Sequence, residues 1–162
     1  MKDYMPWKYY ADVFSIPYES LFEEGYRLLL FDIDNTLLPY KKDVPSSEIV
    51  QLLHKIKSIG FDVCLVSNTW PWKAKKIGKA LGVPSYGFSF KPMTFHIMKA
   101  VGKNDLFKTL FIGDQIFTDV LGAKRCNIHC ILVDPLDTYE SIVTMFNRGR
   151  ENDIINRGDY FE

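Results

Sequence analysis

Five short apolar runs alternate along the chain with segments whose apolar positions recur every three or four residues. RLLLFDID (27–34), FDVCLVS (61–67), SYGFSF (85–90), TLFIGD (109–114) and HCILVDPL (129–136) read as strands buried on both faces. Between the first two, SSEIVQLLHKIKSIG sets Ile49, Leu52, Leu53 and Ile56 on one helical stripe, and Gly60 stands where that helix would stop. PWKAKKIGKALG and PMTFHIMKAVG each open on a proline, which costs nothing in a helix's first turn because no N–H partner is lost there. TDVLGAKRCN predicts a short helix, and the C-terminal segment 139–162 a closing one weakened by Gly149. Strands separated by helices imply parallel βαβ units, hence an α/β sandwich of three layers around a five-stranded, mainly parallel sheet.

Length and composition narrow this further. The 162 residues suit one domain, 1–162, with the aromatic segment 1–26 packing on it, and 47% hydrophobic content supports a real core. Twenty basic and twenty acidic residues cancel, so bulk charge does not call for nucleic acid. Cys64, Cys126 and Cys130 are too few and too unevenly placed for a disulfide framework, and they read as buried thiols in a reducing compartment. The N-terminus lacks a secretory apolar core, and no window reaches the ~20 apolar residues of a membrane span. A cytoplasmic protein is expected, with peripheral membrane contact left open.

Two acids, Asp32 and Asp34, stand two residues apart at the end of the first apolar run. In an extended strand both would face one spot, and like charges there are costly without compensation. The other strands end in kind: Ser67 and Asn68 after the second, Lys91 after the third, Asp114 after the fourth, and Asp119 just beyond. Parallel strands bring these ends to one edge, where open α/β sheets bind ligands. Four carboxylates, a hydroxyl and an ammonium require a cation, and oxygen-only ligands suit Mg²⁺ shared with substrate phosphate. Lys91 and Ser67 would then bind phosphoryl oxygens, Asp32 would attack phosphorus, and Asp34 would donate a proton to the leaving oxygen.

DIDNT (32–36), Ser67 in VSNT, Lys91 in KP and GDQIFTD (113–119) resemble, in order, the four motifs of the haloacid dehalogenase (HAD) superfamily. Within its subfamily IIIA the chain looks like the YqeG group of small phosphatases, related to phosphatidylglycerophosphate phosphatases, through DIDNTLLPY, SNT, GDQIFTDVLGAKR, ILVDPL and TMFNRGRE. Thr69 departs from the second asparagine expected there. The resemblance implies a Rossmann-like fold and a phosphatase that forms an aspartyl-phosphate on Asp32, with Asp34 as general acid/base. It also implies Mg²⁺ held by Asp32, the Asp34 carbonyl and Asp114, with Asp119 a further metal-site or supporting carboxylate. Thr36, Ser67, Asn68 and Lys91 form the implied substrate-binding set. Phosphatidylglycerophosphate is the preferred substrate; sugar phosphates, nucleotides and phosphoproteins are alternatives, as is a phospho-accepting switch.

Only 32 residues separate Asp34 from Ser67, and 23 separate Ser67 from Lys91, leaving no room for an inserted cap domain; the resemblance implies that such an uncapped member meets a bulky substrate, such as a phosphoprotein, a nucleic-acid end or a lipid head group. Plainer roles compete for some residues: Asp114 as a helix N-cap, and Asp119 as a complement to a helix dipole. His54, His96 and His129 fall away from the motif ends and read as non-catalytic. WPWKAKK (70–76) reads first as a helix start with a solvated basic face, and second as a membrane contact. The N-terminal aromatics Tyr4, Trp7, Tyr9, Tyr10 and Phe14 read first as packing over the sheet.

Overall fold

Alternate residues of the strands enter two separate cores, which makes the sheet the middle of three layers. The computed structural model describes residues 4–137; the helix expected over 139–162 lies outside the described residues. The strands are β1 (Lys8–Tyr10), β2 (Leu28–Phe31), β3 (Asp62–Val66), β4 (Ser85–Tyr86), β5 (Thr109–Gly113) and β6 (His129–Val133). The helices are α1 (Tyr18–Glu23), α2 (Ser47–Ile59), α3 (Pro71–Leu81), α4 (Phe95–Val101) and α5 (Leu121–Arg125). On one face Leu29, Phe31, Leu65, Leu110 and Ile112 pack with Leu21, Ile49, Leu53, Ile56 and Ile77 of α1 to α3. On the other, Leu30, Val66, Phe111 and Leu132 pack with Ile97, Val101, Val120 and Ala123. Burying one such aliphatic side chain contributes about 1.5–3 kcal/mol, so period-2 patterning with both faces apolar suffices to hold the layers together.

All strand pairs are parallel, in the order β1-β6-β5-β2-β3-β4. From β2 the chain builds outward through β3 and β4, then returns to lay β5 on the other side of β2. The order therefore reverses between β2 and β5, and it is beyond the carboxyl ends at such a point that open α/β sheets bind their ligands. Helix signals act as expected: Ser46 accepts a hydrogen bond from the Ile49 N–H at 3.2 Å, Pro71 opens α3, and Gly82, at φ 67°, closes it.

Four elements differ from expectation, the first being α4, which starts at Phe95 after an N-cap at Thr94 and so leaves Pro92 in the preceding turn instead of its first turn. The sheet has six strands rather than five, because Lys8–Tyr10 of the N-terminal segment pairs with β6 in the register Lys8↔Ile131. Three half-buried residues carry too little periodicity to announce a strand. The strand expected over 85–90 stops at Tyr86, since Phe88 and Phe90 take φ of 45° and 50° and leave the extended region. The helix expected over 118–127 is split: a π-helical turn, Ile116–Val120, precedes α5.

Candidate active site

The chain leaves β2 at Phe31, and the Asp32 N–H still bonds the Ile112 carbonyl at 2.9 Å. Asn35 then turns the backbone at φ 60°, a conformation asparagine tolerates better than most residues. Both acids lie past the end of β2, and they do not share one partner as an ideal strand would require. The Asp32 carboxylate accepts from the Lys91 ammonium at 2.8 Å, whereas Asp34 accepts from the Lys73 ammonium at 2.7 Å. Each acid receives its own cation.

Lys91 also donates to Asp119 at 2.6 Å, and both of these side chains are 1% exposed. Burial works against the Lys91 ammonium, but the Asp119 and Asp32 carboxylates outweigh it and hold its pKa above the ordinary lysine range. Asp119 is itself pushed up to about 6, by burial first and by the Asp32 charge second. Its other oxygen accepts from the Asp114 and Gln115 N–H groups at 3.1 and 3.2 Å, which the π-helical turn makes possible by folding Asp119 back over the end of β5. A Cβ on Gly113 would lie 2.3 Å from that oxygen, so only glycine fits beneath it. Thr36 completes the link between strands, its hydroxyl donating to Asp32 at 3.3 Å or to Asp114 at 3.2 Å.

Ser67 is buried at the end of β3, where its hydroxyl accepts from the Thr69 N–H at 3.1 Å. Asn68 faces the loop carrying Lys91: its amide oxygen accepts from the Lys91 N–H at 2.7 Å, and its amide nitrogen donates to the Lys91 carbonyl at 3.2 Å. This two-point latch fixes the backbone from which the Lys91 ammonium reaches Asp32. The predicted set Asp32, Asp34, Thr36, Ser67, Asn68, Lys91, Asp114 and Asp119 thus gathers at the sheet's reversal point, with Asn68 set to position Lys91.

Sequence reasoning missed Lys73. It stands on the buried stripe of α3 with Ile77 and Leu81, and its ammonium donates to the Tyr40 carbonyl at 2.7 Å as well as to Asp34. A lysine at i of an i, i+4, i+8 apolar series was the available signal, masked by the surface lysines around it. Burial raises the Asp34 pKa, and the hydrogen bond from Lys73 opposes the rise. The Thr69 side chain, the departure from the family pattern, opposes the rise a little further. The histidines stay outside this set: His129 stacks on Trp7 at 4.8 Å, and His96 bonds the Ser89 hydroxyl at 3.1 Å. Cys64, Cys126 and Cys130 are free and buried.

Oxygens of Asp32, Asp114 and Asp119 lie within 4.8 Å of one another, and all three residues are buried. With Asp34 they make four carboxylates against two ammoniums, Lys73 and Lys91. A net deficit of two positive charges and an oxygen-only donor set fit a hard divalent cation.

Comparison with known proteins gives concordant matches. A family model described as HAD-hydrolase-like matches residues 90–135, which include Lys91, Asp114 and Asp119. Over 157 residues, 96% of this chain and 91% of the relative, the chain is 32% identical to the "Probable phosphatase YqeG" of Bacillus subtilis (strain 168). A crystal structure of an uncharacterized protein from Listeria monocytogenes serotype 4b superposes with a TM-score of 0.54 at 17% identity, covering 72% of this chain and 86% of that one. A hypothetical protein from Xanthomonas campestris does so with a TM-score of 0.51 at 19% identity, covering 91% and 97%. At such identities the two structures speak for the fold alone.

Proposed function

The chain belongs to the YqeG-like phosphatases of the HAD superfamily, and from that premise we propose that it hydrolyses phosphomonoesters in two steps through a phosphoryl group carried on Asp32. The observation that carries this reading is the placement of Lys91 between Asp32 and Asp119 at the sheet's reversal point, with Thr36 linking Asp32 to Asp114. In the first step an Asp32 oxygen forms a bond to phosphorus as the ester P–O bond breaks, and Asp34 gives its proton to the departing oxygen. In the second, Asp34 takes a proton from water, whose oxygen attacks phosphorus and frees Asp32 and phosphate. A raised Asp34 pKa keeps the proton available for the first step. Lys91 and Ser67 hold the non-reacting phosphoryl oxygens, and Asp119 and Asn68 position Lys91.

Asp32, Asp114 and the Asp34 carbonyl, with Asp119 behind them, are the groups that would hold Mg²⁺. When bound, the ion supplies positive charge against which the carboxylate and the phosphoryl oxygens can approach. The substrate reading extends to a lipid phosphate, phosphatidylglycerophosphate first, met at the membrane by a peripheral cytoplasmic protein. Its support is the absence of room for a cap: 35–66 is used by a loop, α2 and β3, and 68–90 by α3 and β4 with their loops. Among the described residues no helix is long and apolar enough to cross a membrane.

Phosphate release from p-nitrophenyl phosphate and from phosphatidylglycerophosphate, measured with Mg²⁺ and with EDTA, tests the reading. EDTA and Asp32→Asn are each expected to abolish turnover, and Asp34→Asn to lower it by ~10²–10⁴-fold. Undiminished turnover by Asp32→Asn would overturn the mechanism. A preference for a soluble sugar phosphate would overturn the substrate.

A further inference from the structure

Between Asp62 and Asp105 the chain carries seven of its twenty basic residues and none of its twenty acidic ones. This stretch contains α3, β4, the Lys91 loop and α4. Lys73, Lys76 and Lys91 are paired with Asp34, Asp43, and Asp32 together with Asp119. Lys75, Lys79, Lys99 and Lys103 are exposed, and among the described residues no ion pair joins them to a carboxylate. The unmatched lysines divide between the two faces of the sheet, Lys75 and Lys79 on α3 over one and Lys99 on α4 over the other with Lys103 just past its end, so the cation that matters for the rings described next is Lys99.

The same stretch exposes its large apolar side chains. Trp70 is 62% exposed, Phe90 and Met93 63% each, and Phe95 70%. They are contiguous: Trp70 packs on Phe88 at 5.1 Å, Phe88 stacks on Phe90 at 5.7 Å, and Phe88, Phe90, Met93 and Phe95 line one shallow hollow of about 340 Å³. Single exposed apolar residues are common on soluble proteins, but a connected group beside a site marks an interaction surface. Backbone strain points the same way. Phe88 and Phe90 both occupy the left-handed region, unfavourable for bulky residues, and such outliers persist where the surroundings enforce them. Here the Phe88 N–H bonds the Thr69 carbonyl at 2.9 Å, the Ser89 N–H bonds the Ser67 carbonyl at 3.0 Å, and Asn68 latches Lys91. The loop thereby exposes the Phe90 ring while sending the ammonium of the next residue inward to Asp32.

We propose that this face, from Trp70 to Phe95, docks the protein on an anionic bilayer. Aromatic rings favour the interfacial level of a membrane, and basic side chains are drawn to anionic headgroups. Cations border the rings as this requires: the Lys99 ammonium lies 5.9 Å from the Phe95 ring, and Arg125 bonds the Pro92 carbonyl at 3.3 Å. Single-stranded nucleic acid matches less well, because Phe88, set against Trp70 and stacked on Phe90, is only 36% exposed and presents less ring to a base. The inference leans on the proposed function only in taking the Lys91 site as the place where a phosphoryl group is met.

Flotation of the full chain with vesicles of phosphatidylcholine alone, and of phosphatidylcholine mixed with phosphatidylglycerol, tests the surface without any phosphomonoester. The mixed vesicles should carry the protein and the neutral ones should not. The double variant Phe90→Ser/Phe95→Ser should bind roughly tenfold more weakly or worse, and each of Lys99→Gln and Arg125→Gln roughly fivefold more weakly. All should hydrolyse p-nitrophenyl phosphate as the wild type does, which reports an intact fold and site. Equal binding by wild type and the double variant, or no binding to the mixed vesicles, would overturn the proposal. So would a variant-sensitive affinity for oligothymidylate, or a solution dimer that the double variant dissociates. Hydrolysis without vesicle binding refutes the surface and spares the phosphatase mechanism; vesicle binding without hydrolysis does the reverse.

Discussion

Lys73 shows how one residue acquires a role from its position on a helix. Lysine is rarely buried unless paired, and here the pairing with Asp34 and the Tyr40 carbonyl ties α3 to the loop after β2. Removing the ammonium leaves Asp34 without its anchor, and a displaced proton donor matters most when the departing oxygen is strongly basic. Lys73→Met should lower kcat by up to about 10²-fold on an alkyl phosphate, with a much smaller loss on p-nitrophenyl phosphate, whose leaving group needs little protonation. Lys73→Arg should recover part of the alkyl phosphate rate. Parallel kcat and KM measurements on the two substrates check this, and an equal loss on both would assign Lys73 to folding alone.

At the scale of elements, the π-helical turn after β5 and the glycine that precedes it act together. The turn folds Asp119 back so that one oxygen caps the Asp114 and Gln115 N–H groups and the other receives Lys91, and Gly113 leaves the space. An alanine methyl would meet the Asp119 carboxylate and adjoining side-chain atoms, none of which can yield without breaking those bonds. Gly113→Ala is expected to cost ~1–3 kcal/mol and to lower Tm by roughly 3–10 °C. Because Lys91 would lose its anchor too, KM should rise in the fraction that remains folded. Thermal melts alongside steady-state kinetics check both expectations.

For the whole molecule, the seam between β1 and β6 joins the N-terminal segment to the sheet, and a histidine sits in it. His129 stacks on Trp7, and its Nδ1 shares a hydrogen bond of 2.8 Å with the Tyr26 hydroxyl. Burial lowers its pKa, and the nearby Lys124 charge lowers it further. The unfolded chain therefore binds a proton more readily, so the stabilising contribution is fully present above the unfolded value of about 6.5 and is lost as pH falls from there through the lower folded value. Tm should drop between about pH 7.5 and 5.5, and His129→Gln should flatten that slope. Melting curves across this range would show it, and an unchanged slope in the variant would exclude His129 as the source.

The sequence by itself determined the layers of the fold and the candidate residues that the strand ends bring together. Period-2 and period-3.6 apolar patterns are local, and so are proline and glycine helix signals; the DIDNT, SNT, KP and GDQIFTD motifs stand at strand ends that any parallel sheet would align. Tertiary structure decided what depends on contacts distant in sequence. It added β1, too short to show a period but stabilised by pairing with β6, and it ended β4 early where Phe88 and Phe90 leave the extended region. It gave Asp32 and Asp34 separate lysines, 59 and 39 residues away, because β2 ends at Phe31 and the two carboxylates stand beyond its regular pleat. Charge pairing of that kind is set by geometry across the sheet, which residue spacing along the chain does not contain.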